Sequence, residues 1–67
     1  MGRHEDAIKK YREALSINPK MATAYRNMGL AFSEMGRHEE AVINYKMSLE
    51  INPKDAVTNY NLGNELG

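Results

Sequence analysis

Displaced by 34 residues, the chain overlays on itself. Fifteen of the 33 paired positions are identical, and the block MGRHEDAIKKYREALSINPK at residues 1–20 returns as MGRHEEAVINYKMSLEINPK at residues 35–54. A fixed period of this length marks an architecture of stacked units, each of which buries its apolar face only against a neighbour. A chain of 67 residues needs such help, because a core this small gives only marginal stability and no cysteine is present to staple it.

Inside the period the apolar residues keep helical spacing. Ala7, Ile8, Tyr11, Ala14 and Leu15 form one stripe, and Ala41, Val42, Tyr45 and Leu49 repeat it. Met21, Tyr25, Met28 and Phe32 form a second, beside Ala22 and Gly29, and Ala56, Leu62, Gly63 and Leu66 begin its copy. The spacing predicts an all-α fold of four antiparallel helices at 4–17, 21–34, 38–51 and 55–66. Asn18-Pro19 and Asn52-Pro53 end the first-type helices, since proline lacks the amide needed to continue and forces its predecessor out of the α region. Gly36 is expected at a turn of positive φ, and Glu5, Asp6, Glu39 and Glu40 at helix first turns, where the macrodipole favours negative charge. Gly29 inside a helix implies close approach of another backbone, and Ala41 is the expected neighbour, with Tyr25, Phe32 and Tyr45 interlocking around the pair.

The residues Tyr25, Met28-Gly29, Phe32, Gly36, Ala41, Tyr45, Ser48 and Pro53, at these spacings, resemble the tetratricopeptide repeat, a helix-turn-helix unit of 34 residues. On that resemblance residues 22–55 are one complete repeat, 1–21 the second helix of a partial repeat and 56–67 the first helix of a further one. Two positions depart from the pattern: Ser48 stands where Ala14 and the family's usual alanine stand, and Asn59 replaces the aromatic that Tyr25 supplies.

The resemblance also implies a function. Similar repeat proteins line a concave groove with the non-core face of the first helix of each unit and hold extended peptides there. In this chain that face is Arg26, Asn27 and Leu30, continued by Tyr60, Asn61 and Asn64. Asparagines one repeat apart are suited to the task, because each amide offers both a donor and an acceptor to a peptide bond. A related mode that clamps a carboxylate wants an asparagine where Leu30 stands, so it is set aside. The alternative expectation is an assembly unit, in which terminal helices of different copies pack through Ile8, Leu15, Leu62 and Leu66 to give a homo-oligomer.

Other chemistry finds little purchase. Nine basic residues balance nine acidic ones, and Lys9, Lys10 and Arg12 are interleaved with Glu13, so no nucleic-acid partner is expected. Apolar runs of at most three residues give no membrane span or signal segment, and with no cysteine the expected location is the cytoplasm. His4-Glu5-Asp6 and His38-Glu39-Glu40 lack the spacing that brings two ligands to one helix face. No metal, cofactor or catalytic residue is expected, and the partner is expected to be a protein or peptide.

Overall fold

The computed structural model describes residues 2–67; Met1, taken above as the copy of Met35, lies outside the described residues. Four helices follow one another, α1 (Arg3–Ile17), α2 (Ala22–Glu34), α3 (His38–Ile51) and α4 (Ala56–Leu66), each boundary within one residue of its expected place. The fold is all-α, and no strand occurs among the described residues.

The helix ends follow from local chemistry. Asn18 (φ −132°, ψ 93°) and Asn52 (φ −133°, ψ 81°) are extended, as residues before proline must be, while their amides close the last turns on the Ala14 and Ser48 carbonyls. Gly36 has φ +78°, the left-handed conformation that only glycine enters freely. That turn lets the Arg37 amide donate back to the Phe32 carbonyl at 2.8 Å and carries the Arg37 guanidinium over the Phe32 ring, 5.3 Å from its centre.

The central helix is α2. It makes its most extensive contact with α3, packs against α1 on another side and touches α4, which itself lies on α3. Ile8, Met28, Ala31, Phe32, Ala41 and Tyr45 form the core, with Tyr11, Leu15, Met35 and Leu62 packed around them. Gly29 is the close approach, and what meets it most nearly is the Tyr45 ring. A β-carbon there would lie 2.6 Å from the Tyr45 ring, so the glycine is the notch in which that aromatic lies flat against α2. Ala41 is fully buried on the same face of α3, one turn earlier. Gly63, the copy of Gly29 one period on, has nothing within 4 Å of the corresponding site.

Three polar side chains are buried as well: Asn44, Ser48 and Thr58. Each is satisfied. Asn44 donates to the Glu40 carbonyl one turn back, Ser48 Oγ donates to the Ala22 carbonyl at 2.8 Å, and Thr58 Oγ1 donates to Asp55. Ser48 therefore replaces alanine with a hydrogen bond that fastens the end of α3 to the start of α2.

The two glycines make a matched pair of predictions. Gly29→Ala gains about 1 kcal/mol of helix propensity but overpacks the Tyr45 ring at a cost of about 1–3 kcal/mol, so its urea midpoint falls. Gly63→Ala meets open space and keeps the propensity gain, so its midpoint rises.

Candidate functional site

The expected groove residues lie on α2 and α4, the two neighbouring helices of the same type. Leu30 is 44% exposed and Tyr60 70% exposed, with Val57 also exposed beside Tyr60; Asn64 is exposed, and Asn27 and Asn61 are half-buried. Among the described residues neither the Asn27 nor the Asn61 amide makes a side-chain hydrogen bond of the kind that occupies Asn44 and Asn59. The surface thus combines two amides in equivalent positions, one period apart, with exposed apolar groups around them.

Arg26 differs from the expectation. Its Nη1 donates to Asp55 Oδ2 at 3.1 Å, a partly buried ion pair joining α2 to the first residue before α4. Asp55 is the N-cap of α4 and accepts from the amides of Val57 and Thr58 and from the Thr58 hydroxyl, the last at 2.7 Å. No other helix here has a side-chain cap among the described residues. The Thr58 hydroxyl bond is the main cause that holds the Asp55 carboxyl below its ordinary value of 3.8; the Thr58 amide, Arg26 and the Val57 amide add to it, against partial desolvation. Asn59 completes the junction by donating to the Pro53 and Asp55 carbonyls. Asp55 and Thr58 carry no mark in the sequence reading, and Asn59 is marked only as a lost aromatic; all three sit where the second copy departs from the first, at Met21, Ala24 and Tyr25.

A second concavity lies elsewhere. A cleft of about 630 Å³ runs between α1 and α3 with Ile8, Phe32 and Met35 at its floor and Lys9, Arg12 and Arg37 among the charged groups at its rim. Arg37 there is paired with Glu40. A shallower hollow bounded by His38, Val42, Ile43, Glu65 and Leu66 is the same feature one period later, with one wall absent. An exposed apolar stripe, Ile43, Met47 and Ile51, runs along α3 beside it. Comparing copies reveals the stripe, because Lys9 and Glu13 hold its first two positions on α1.

The residues expected to join copies are mostly spent inside the chain. Ile8 is 5% exposed and part of the core, and Leu15 and Leu62 pack against that core; only Leu66, at 65%, is freely exposed. The physical reason is that α1 and α4 already use those side chains on α2 and α3. The paired histidines recur as interhelix contacts instead: His4 lies 3.6 Å from Glu34 and His38 3.0 Å from Glu65. Among the described residues no cluster of three His, Cys, Asp or Glu is placed to hold a metal ion, and no helix is long and apolar enough to cross a membrane.

Comparison with known families agrees with this architecture. A family model described as TPR repeat matches residues 1–36, and one described as tetratricopeptide repeat matches residues 22–55. No curated protein matches the chain.

The Asp55 junction predicts a pH dependence. A carboxyl whose pKa is lowered by folding contributes stability above its unfolded value of 3.8 and loses it as pH falls through the lowered pKa. Wild type is therefore more stable than Asp55→Asn near neutral pH, and the gap closes on acidification below 3.8. Paired thermal melts across that range check it.

Proposed function

The chain belongs to the tetratricopeptide repeat family, whose repeats are generally protein–protein interaction modules, and we propose that it holds an extended peptide segment of a partner across α2 and α4. The observation that carries this reading is the pair Asn27 and Asn61, period-equivalent, half-buried and flanked by exposed Leu30, Val57 and Tyr60.

The geometry of helices sets the spacing of such a contact. Neighbouring helix axes lie about 8–10 Å apart, and an extended peptide advances about 3.3 Å per residue. Amides on adjacent like helices therefore address peptide bonds about three residues apart. Each offers its N–H to a peptide carbonyl and its oxygen to a peptide N–H, an interaction blind to the bound side chains. Selectivity then falls to Leu30 and Tyr60, which supply apolar area, and to Asn64 at the far edge. Arg26 acts by position: its bond to Asp55 fixes the start of α4 against α2 and so sets the register of the two amides.

The family's repeats are non-catalytic scaffolds, and the polar groups of this face fit that role, being amides and one ion-paired guanidinium with no nucleophile beside a base.

Peptides selected from a displayed random library against the chain test the proposal. For these, Asn27→Ala alone weakens binding by about 5- to 150-fold, the equivalent of the two hydrogen bonds of its amide at about 0.5–1.5 kcal/mol each, and adding Asn61→Ala weakens it further. Selected peptides that bind the double variant as tightly as wild type overturn the reading.

A further inference from the structure

The face that bears the two period-equivalent amides holds almost no charge. Asn27 and Leu30 on α2 and Val57, Tyr60, Asn61 and Asn64 on α4 are all neutral, and Arg26 stands among them as the charged member of the row. Its guanidinium is not free. Nη1 donates to Asp55 Oδ2 at 3.1 Å, and the two side chains are only 32% and 13% exposed, so the pair is partly shielded from water. Lys20 and Lys54 lie outside the row, in the exposed turns before α2 and α4, where solvent and salt screen a charge.

Asp55 has no acceptor capacity left for a ligand. Oδ1 accepts from the amides of Val57 and Thr58, and Oδ2 accepts from the Thr58 hydroxyl and from Arg26, four donors for the roughly four lone-pair sites of a carboxylate. Three of those donors belong to the first turn of α4, so Asp55 cannot swing away to release Arg26 without uncapping the helix. A ligand carboxylate that approaches Arg26 therefore lies beside a second anion that stays in place, and is repelled. A ligand ammonium that approaches Asp55 finds its lone pairs filled and meets the guanidinium. A neutral segment has neither conflict. A guanidinium has five N–H donors and Asp55 engages one of its nitrogens, which leaves donors for peptide carbonyls, while Leu30, Val57 and Tyr60 offer apolar area.

We propose that Asp55 sets the specificity of this face: by balancing Arg26 it restricts the bound segment to an uncharged, apolar-rich stretch internal to a partner chain, and turns away acidic segments and free C-terminal carboxylates. The inference rests on the peptide-binding reading above and adds to it the class of segment bound.

A displayed random peptide library, selected in parallel on the wild type, on Asp55→Asn and on Arg26→Gln, tests it. Asparagine caps a helix about as well as aspartate, so Asp55→Asn keeps a cap on α4 and leaves the charge of Arg26 unbalanced. Arg26→Gln leaves the cap untouched and the charge of Asp55 unbalanced. Circular dichroism establishes the helicity of both. Segments recovered on the wild type are depleted in Asp, Glu, Lys and Arg; those recovered on Asp55→Asn are enriched in Asp and Glu, and those on Arg26→Gln in Lys and Arg. When a peptide selected on the wild type is synthesised with single Glu replacements along its length, one replacement binds Asp55→Asn roughly tenfold more tightly than wild type, the low end for a hydrogen bond to a charged group. Acidic segments recovered on the wild type, or one charge composition on all three proteins, overturn the proposal. Asn27→Ala separates that failure from failure of the reading beneath it. Acidic segments whose binding Asn27→Ala weakens leave the peptide face standing and remove only the specificity, whereas segments indifferent to Asn27→Ala overturn both.

Discussion

The contact on which the structure depends is the Tyr45 ring lying in the notch of Gly29. A glycine within a helix costs about 1 kcal/mol relative to alanine, whereas an aromatic side chain buries roughly 150–250 Å², so the exchange favours the notch by a wide margin. Once the ring is seated, α2 and α3 can approach closely enough to bury Ala41 and Ser48 completely on either side of it. The Ser48 hydroxyl then reaches the Ala22 carbonyl and ties the far ends of the two helices. Phe32, Met28 and Ile8 fill the space between this pair and α1. Tyr45 itself stays protonated to higher pH than a free tyrosine, first because burial disfavours the phenolate and then because Glu65 and Glu34 lie near.

Identity between the copies and departure from it have different physical uses. The identical positions build what every unit needs: the turn at Asn-Pro, the glycine notch, the small residue beside it and the ring that enters it. The departures supply bonds specific to one junction. Ala14 becomes Ser48, which holds Ala22; Met21 becomes Asp55, which caps α4 and holds Arg26; Ala24 becomes Thr58, which braces Asp55; Tyr25 becomes Asn59, which closes the Pro53 turn. At the buried Ser48 and Thr58, removing one partner leaves a desolvated polar group behind, so these two positions tolerate change less well than their polar character suggests.

The period made the helices, their stops, the positive φ of Gly36 and the existence of a close approach at Gly29 legible in the sequence. It did not show which side chain of the facing helix would come nearest to Gly29. Ala41 and Tyr45 share one face of α3 a single turn apart, about 5.4 Å along the axis, and periodicity marks the face without fixing the antiparallel register. Ile8, Leu15 and Leu62 show the same difficulty in another form. A helix in a stack has neighbours on two sides, so its apolar arc is wide, and the sequence does not say which part serves which neighbour. The exposure of Leu30, Tyr60 and Asn64 follows from helical spacing alone, whereas the engagement of Arg26 by Asp55 crosses 29 residues of chain and has no local signal.

The Asp55 junction bears on the candidate face through α4. Asp55 caps α4 and accepts from Arg26, so the start of α4 is tied to α2 by one charged group that also satisfies the first amides of the helix. In the proposed contact this tie matters because side-chain amides bond a peptide only within a narrow range of distance and angle, and a helix held at its first turn keeps the residues of its next turns in a fixed relation to its neighbour.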